Sequence, residues 1–215
     1  MNSKFDSKYN FTESWFDIAI DNWGRLFEQR ECTIHNVLEI GCYEGRATVW
    51  LCENVFKGQD VEYDVIDTFQ GSSEESGMSD ALRNLSNKNT FIEDNFLHNI
   101  SFFPNIKFNI KKGFSQQILP TMPQEEKYDF IYIDASHRAD DTFVDAYYAH
   151  KLLKPGGLLI FDDFAWKDPK DLSPVNSPEL GVKMFITCYG REYALIMEGY
   201  QVGLEKKGNP KIKLT

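Results

Sequence analysis

"YDFIYIDASHRADD", residues 128–141, joins a continuous apolar run to an acid and then to a helical pattern. The run stops at Asp134, His137 follows three residues later, and the polar sequence beyond has helical periodicity. Strands of parallel sheets are buried on both faces, so their apolar residues are continuous instead of alternating. The stretch therefore predicts a buried strand that ends on a carboxylate and leads into a helix.

Strand-like and helical segments alternate along the rest of the chain in the same way. Strands are predicted at 35–41, 61–67, 105–113, 128–134 and 158–164, followed by a pair at 192–198 and 200–207. Helices are predicted at 12–30, 45–56, 91–101, 115–122, 140–153 and 179–190, the first with Thr12 as its N-cap. A turn is predicted at "KPGG" (154–157), and loops are predicted at 68–80 and 165–178.

This order of elements predicts an α/β fold with a doubly wound, mostly parallel, seven-stranded sheet. Only Gly199 and its neighbours separate the last two strands, which is too short for a helical crossover. We therefore expect these two strands to form a C-terminal antiparallel hairpin. Ligands of such sheets bind outside the carboxyl ends of the parallel strands, so the functional residues are expected there.

The composition argues against several classes of protein. The 215 residues suit one large domain, and no apolar stretch approaches the roughly 18 residues of a membrane span. The N-terminus "MNSKFDSKYN" lacks an apolar signal segment, so a cytoplasmic location is expected. The net charge of −10 argues against nucleic acid as the main partner. Four cysteines without a C-x-x-C pair predict reduced thiols and neither a zinc site nor a disulfide framework.

Carboxylates lie at or near the ends of four predicted strands. They are Glu39, Asp67, Asp134, Asp162 and Asp163. An acid at a single strand end is equally well explained as the N-cap of the following helix. Several like charges in one crevice, however, raise the free energy of ionising each of them. The set therefore predicts a cationic ligand or a metal ion at this edge of the sheet.

The turn "EIGCYEG" (39–45) differs from a dinucleotide-binding fingerprint. Tyr43 occupies the position of its second glycine, where a side chain would obstruct a diphosphate, and the carboxylate of Glu44 would repel one. A nucleoside that has positive charge and no phosphate fits better, and S-adenosylmethionine matches this description. Asp67 ends the next strand, where it would accept hydrogen bonds from the ribose hydroxyls.

Together these segments resemble the class I S-adenosylmethionine-dependent methyltransferases, which have a Rossmann-like fold. "VLEIGCYEGRAT" resembles their E-x-G-x-x-x-G motif, and "YDFIYIDASH…LLKPGGLLIFDDF" with "GYQVGLEKK" resembles the macrocin O-methyltransferase-like branch. "LEIGCYEG" and "GFSQQILP" are also similar to the catechol O-methyltransferases. The resemblance implies an N-terminal helical cap at 1–34, a methyltransferase domain at 35–206 and a tail at 207–215.

The resemblance also implies a role for each matching residue. The implied cofactor-binding residues are Glu39 at the ammonium group, Gly41, Tyr43 and Gly45 along the methionine and ribose, Asp67 at the ribose, Ser115 and Gln116 at the adenine, and Asp134. The implied metal ligands are Asp134, Asp162 and Asp163, with Mg²⁺ as the expected ion. The catechol enzymes carry Asn at the last of these positions, so the site here is more negative. His137 lies where those enzymes have a catalytic lysine.

His137 and Asp134 are therefore the predicted catalytic residues. His137 would take the proton of an acceptor hydroxyl whose pKa is lowered by the bound cation. A helix cap or a surface histidine is the alternative interpretation of His137. Neighbouring side chains on a strand point to opposite faces, so Asp162 and Asp163 can share a metal only if the strand ends before them.

The predicted function is methyl transfer from S-adenosylmethionine to a hydroxyl of a small molecule, assisted by a divalent metal. The alternatives are metal-independent O- or N-methyl transfer, a non-catalytic cofactor-binding subunit, and a nicotinamide oxidoreductase. Sugar, phenol and other hydroxyls all remain open as acceptors, because loops build the acceptor pocket. Segments 69–79 and 164–178 could each act as a lid, and the N-terminal helix could cover the site or form a homodimer contact.

Overall fold

The computed structural model describes residues 5, 7–30, 33–71 and 90–208 of the chain. The strands are β1 (Asn36–Ile40), β2 (Val61–Asp67), β3 (Ile106–Lys112), β4 (Tyr128–Ile133), β5 (Leu153–Phe161), β6 (Tyr193–Glu198) and β7 (Val202–Lys206). The α-helices are α1 (Ile20–Glu28), α2 (Arg46–Asn54), α3 (Thr90–Ile100), α4 (Ser115–Ile118), α5 (Ala139–Leu152) and α6 (Pro178–Tyr189). Short 3-10 helices lie at Trp15–Ile18, Leu119–Thr121, Pro174–Asn176 and Gly190–Glu192. None of the helices in the described ranges is long and apolar enough to cross a membrane.

The strands form one seven-stranded sheet in the order β3-β2-β1-β4-β5-β7-β6. The first five strands are parallel, and β7 pairs antiparallel with both β5 and β6. The predicted fold is therefore confirmed, including the C-terminal hairpin. The strand order reverses direction at β1 and β4, which puts the ends of these two strands at the crevice where such sheets bind ligands.

Apolar side chains cover both faces of the sheet. On one face Trp23 of α1 and Trp50 of α2 belong to one cluster with Phe130 of β4, and on the other face α5 and α6 pack against β4 and β5. Trp23 is fully buried, and its indole Nε1 donates a hydrogen bond to Gln201 Oε1 at 2.7 Å. The first helix is thus part of the main core. Burial of a tryptophan typically contributes about 3–5 kcal/mol to the free energy of unfolding relative to alanine.

The N-terminal prediction was wrong in detail. The predicted helix 12–30 is divided into a 3-10 turn at Trp15–Ile18 and α1, which starts at Ile20. Thr12 caps neither of them, because its backbone N–H and its hydroxyl both donate to the carboxylate of Glu44. A tertiary contact has replaced the local cap that the sequence pattern favoured.

The predicted turn at 154–157 is instead an irregular part of β5. Leu153 pairs with Tyr128 and Leu158 with Phe130, so the residues between them bulge out of the parallel ladder. Gly156 has a φ of +82°, which a glycine adopts without steric cost. The turn signal therefore marked a bulge inside a strand.

The structure describes one of the two predicted loops in full and the other only in part. Segment 165–178 is ordered by Ser177, whose hydroxyl donates to the Trp166 carbonyl and accepts the backbone N–H of Glu179 at the start of α6. Residues 72–79 of the other predicted lid, and residues 209–215 of the predicted tail, lie outside the described residues. Cys42, Cys52 and Cys188 are free thiols, as predicted.

Candidate active site

The turn between β1 and α2 passes very close to the end of β4. Gly41 has a φ of +82°, and a Cβ atom on it would lie 1.9 Å from the carbonyl oxygen of Asp134. Its backbone N–H donates to the Ile66 carbonyl at 2.8 Å, which continues the parallel ladder beyond β1. Only glycine fits here, and its missing side chain lets the turn lie directly over the strand ends.

Asp67, at the end of β2, holds this turn in place through hydrogen bonds to its backbone. Its Oδ2 accepts the backbone N–H groups of Cys42 (2.6 Å) and Tyr43 (2.9 Å), and its Oδ1 accepts that of Phe69 (2.6 Å). Hydrogen bonds from N–H groups to a carboxylate are roughly twice as strong as neutral ones. Asp67 is only half-buried, so the same carboxylate also faces the solvent-accessible crevice.

A cavity of about 420 Å³ lies at this edge of the sheet. Six of the predicted cofactor-binding residues line it: Gly41, Tyr43, Asp67, Ser115, Gln116 and Asp134. Its wall also contains residues that the sequence reasoning missed, among them Thr68, Gln70, Phe114, Ser136, Arg138 and Asp141. Phe114 is 53% exposed, and its place beside Ser115 in "GFSQQ" was a signal that could have identified it.

Glu39 and Gly45 lie next to this cavity without lining it. Glu39 is fully buried in β1, where its Oε2 accepts the hydroxyls of Thr48 (2.6 Å) and Tyr63 (2.7 Å). Burial raises the pKa of its carboxyl to about 7, and Oε1 has no hydrogen-bond partner within the described part of the chain. Gly45 adopts a left-handed conformation at the start of α2 and packs on the Phe96 ring.

Glu44 does not have the role that the sequence suggested. Its side chain is 1% exposed and turns away from the cavity toward Thr12 and Asn95, whose amide donates to it at 2.8 Å. Its carboxylate therefore does not face a ligand in this cavity. Tyr43 does line the cavity, so a ligand there would meet this departure from the dinucleotide fingerprint.

Tyr132 links the predicted acids at the ends of β4 and β5. The Tyr132 hydroxyl lies 3.3 Å from Asp134 Oδ2 and donates a short hydrogen bond to Asp162 Oδ2. Burial, and then the charges of Asp162 and Asp163, raise the pKa of Asp134 well above its usual value. Burial and the charge of Asp163 raise the pKa of Asp162 to about 6. A bound cation would lower the pKa values of both carboxyls.

Asp163 joins the predicted base to this group. Strand β5 ends at Phe161, so Asp163 has left the strand, and it adopts a left-handed φ of +53°. Its Oδ1 accepts the Tyr200 hydroxyl at 2.6 Å, and its Oδ2 lies 2.9 Å from His137 Nε2. The His137 ring packs against Trp166 with 4.2 Å between ring centroids. His137 thus lies in a small pocket that shares Asp134 and Ser136 with the main cavity.

Comparison with known proteins identifies the family. A family model described as a methyltransferase domain matches residues 38–164, more than half of the chain. The chain belongs to this methyltransferase family. A comparison with curated protein sequences finds no match.

Solved structures show that the methyltransferase has the fold of several distant relatives. The O-methyltransferase NovP superposes with a TM-score of 0.63 at 17% identity, covering 88% of this chain and 79% of NovP. The Bacillus cereus O-methyltransferase, solved with S-adenosylhomocysteine, gives a TM-score of 0.57 at 17% identity, covering 93% and 83%. The N-methyltransferase NodS from Bradyrhizobium japonicum gives 0.52 at 15% identity, covering 89% and 96%. At these identities the likeness establishes the fold and does not distinguish O- from N-transfer.

The oxygens of Asp162 and Asp163 in the methyltransferase already have polar partners. Both oxygens of Asp162 are engaged, by the Asp163 backbone N–H at 2.7 Å and by the Tyr132 hydroxyl. Both oxygens of Asp163 are engaged by Tyr200 and His137. The described residues contain no group of three or more Asp, Glu, His or Cys side chains placed to hold a metal. Nothing in this arrangement supports the predicted magnesium site, which stays a prediction.

Proposed function

We propose that this methyltransferase transfers a methyl group from S-adenosylmethionine to a hydroxyl group of a small molecule. One observation carries the proposal: the cavity over β1, β2 and β4 shares Asp134 with a pocket that holds a hydrogen-bonded His137–Asp163 pair. A binding site for the methyl donor and a base for the acceptor are thus adjacent. The resemblance to macrocin and catechol O-methyltransferases, seen in the sequence, favours oxygen over nitrogen as the acceptor atom.

The residues at the cavity suit the proposed cofactor. Asp67 lies at the end of β2, where ribose hydroxyls are bound in folds of this kind, and Ser115 and Gln116 lie at the predicted adenine end. Asp67 and Asp141 give the wall negative charge, which favours a ligand with an ammonium and a sulfonium. S-adenosylmethionine supplies an electrophilic methyl group bound to that sulfonium.

His137 would remove the proton from the acceptor hydroxyl. When its Nε2–H donates to Asp163, the neutral imidazole carries its lone pair on Nδ1, so Asp163 selects the tautomer and fixes the ring. Nδ1 is buried in this structure, so an acceptor reaches it only after the groups that cover it move. Tyr200 fixes Asp163 from the other side. A positioned base of this kind contributes about 10²- to 10⁴-fold, and holding the reactants in line contributes roughly 7–11 kcal/mol.

The hydrogen bonds of the acid group favour metal-independent transfer, the runner-up of the sequence reasoning. Tyr132, Tyr200 and His137 occupy the oxygens that a cation would need on Asp162 and Asp163. A metal between the two carboxylates would have to share these oxygens with the groups that already contact them. We therefore assign the proton transfer to His137.

A transfer assay with labelled S-adenosylmethionine and a panel of sugar and phenol acceptors tests the proposal. We expect label in at least one hydroxylated acceptor, at a rate that EDTA leaves unchanged. Loss of the rate in EDTA and its recovery with Mg²⁺ would establish the metal-dependent mechanism instead. Transfer only to amines would contradict the assignment to oxygen.

A further inference from the structure

The cofactor loop (residues 41–45) has a backbone conformation that its own sequence does not favour. Gly41, Tyr43 and Gly45 all have positive φ, and Tyr43, at +51°, is not a glycine. A residue with a Cβ atom is strained in this region, so surrounding contacts must hold it there. On the cavity side, Asp67 provides such a contact through the Tyr43 backbone N–H.

The opposite side of the loop is held by a buried glutamate. Glu44 Oε2 accepts the Thr12 backbone N–H at 2.6 Å, and its Oε1 accepts the Thr12 hydroxyl at 3.0 Å and the Asn95 amide at 2.8 Å. The Glu44 carbonyl accepts the side-chain amide of Asn99 at 2.9 Å. A buried carboxylate with this many donors is held firmly, because breaking any one bond would leave a buried charge less well solvated.

Thr12 belongs to an N-terminal arm (residues 7–18) that is itself fixed on α2 and α3. Arg46 makes a bidentate ion pair with Asp17, with both distances at 2.8 Å. Asn99, fully buried in α3, bonds to both the N–H and the carbonyl of Asn10. The Trp15 ring packs on Tyr43 with 5.1 Å between centroids. The arm therefore contacts the cofactor loop through both Glu44 and Tyr43.

We propose that Glu44 is a positioning residue, which holds Tyr43 in its cofactor-binding conformation by anchoring the loop to Thr12 of the N-terminal arm. The inference rests on the proposed function, because the ligand whose binding it controls is S-adenosylmethionine. A loop that adopts the competent conformation only part of the time binds with an affinity reduced by that fraction. The arm is then a part of the cofactor site, although none of its residues lines the cavity.

Two variants weaken the contact between Glu44 and Thr12 by different amounts, and a third variant is a matched control. Glu44→Gln removes the charge, and the milder Thr12→Val removes one donor while keeping the shape. Glu53→Gln makes the same chemical change in a residue of α2 that accepts the Tyr9 hydroxyl of the arm at 2.7 Å but does not touch the loop. Calorimetric titration with S-adenosylhomocysteine, thermal unfolding and steady-state kinetics are measured for all three.

We expect Glu44→Gln to weaken S-adenosylhomocysteine binding by about tenfold and Thr12→Val by about threefold. The KM for the cofactor should rise with the same factors while kcat at saturating cofactor stays within about twofold. Glu53→Gln should leave the affinity unchanged even where it lowers the melting temperature as much.

Equal affinity losses in Glu44→Gln and Glu53→Gln at equal melting temperature would overturn the positioning role and leave the proposed function standing. Unchanged affinity in both Glu44→Gln and Thr12→Val would also overturn the positioning role and leave the proposed function standing. Failure of the wild-type protein to bind S-adenosylhomocysteine would remove the proposed function, and the positioning role with it.

Discussion

His137 and its surroundings decide whether this site can do acid–base chemistry. The ring is held between Asp163, which fixes its tautomer, and the face of Trp166. A histidine that served only as a surface residue would not need both contacts. Its side chain is 15% exposed and borders the small pocket that contains Asp134.

Replacing His137 tests this role. His137→Gln should lower kcat by about 10²- to 10⁴-fold and leave the affinity for S-adenosylhomocysteine within about twofold, because the ring lies outside the cofactor cavity. Steady-state kinetics and calorimetry measure the two quantities. His35→Gln, at an exposed position, is the control and should change neither. A fully active His137→Gln enzyme would show that another group takes the proton.

Asp145 is a buried carboxyl whose charge destabilises the folded protein. It lies fully buried in α5, and burial raises its pKa from 3.8 to about 7. Neither carboxyl oxygen has a hydrogen-bond partner among the described residues. Between these two pKa values the folded state holds a proton that the unfolded state has lost. The free energy of unfolding therefore falls as the pH rises through this range.

Asp145→Asn should remove that dependence, because the amide has nearly the same shape and no charge. The variant should gain stability over the wild type between about pH 4 and pH 7 and keep a constant advantage above. We expect its advantage at pH 8 to exceed that at pH 5 by roughly 2–3 kcal/mol. Urea unfolding at the two pH values measures this difference. An advantage that shrank with rising pH would show that the Asp145 carboxyl is stabilised as an anion.

At the scale of elements, the turn between β1 and α2 depends on the absence of a side chain at Gly41. Gly41→Ala would place a methyl group 1.9 Å from the Asp134 carbonyl oxygen, so the end of β4 would have to move. We expect a loss of at least roughly 3 kcal/mol in the free energy of unfolding, measured by urea titration. Gly58→Ala has the same left-handed backbone and nothing within 4 Å, so it should lose only about 1 kcal/mol. Equal losses would mean that backbone conformation alone, and not the close approach, matters at Gly41.

The strands could be predicted from the sequence because burial on two faces leaves a strong local signal. Strand β2 runs from Val61 to Asp67, as predicted, and β4 ends immediately before Asp134. Elements that depend on tertiary contacts were less predictable. The bulge in β5 has the composition of a turn. The arm around Thr12 has a helical apolar pattern, but Thr12 bonds to Glu44 and is not part of a helix.

The positions of the site residues followed from strand order, whereas their partners did not. The fold alone brings Asp67 and Asp134 to one edge. Tyr132 shares a face with Asp134, two residues away, and this period-two spacing was a signal available in the sequence. Tyr200 bonds to Asp163 across 37 residues, and no local pattern indicates such a pair. The sequence pattern therefore located the acids but did not indicate their hydrogen-bond donors.

At the scale of the whole molecule, the proposed function requires that one edge of the sheet bind a positively charged nucleoside. The chain carries a net charge of −10, and buried acids near this edge have raised pKa values. A cationic ligand would relieve their mutual repulsion, whereas a diphosphate would increase it. The same edge carries the turn that Asp67 fixes through the N–H groups of Cys42 and Tyr43.

Calorimetric titration of the wild-type and Asp67→Ala proteins with S-adenosylhomocysteine, and with NAD for comparison, tests this claim most directly. We predict one-to-one binding of S-adenosylhomocysteine to the wild type, weakened at least about tenfold in Asp67→Ala, and no tighter binding of NAD. Thermal unfolding of the variant would confirm that it is folded. An Asp67→Ala protein that binds as tightly as the wild type, or a wild type that prefers NAD, would contradict the account.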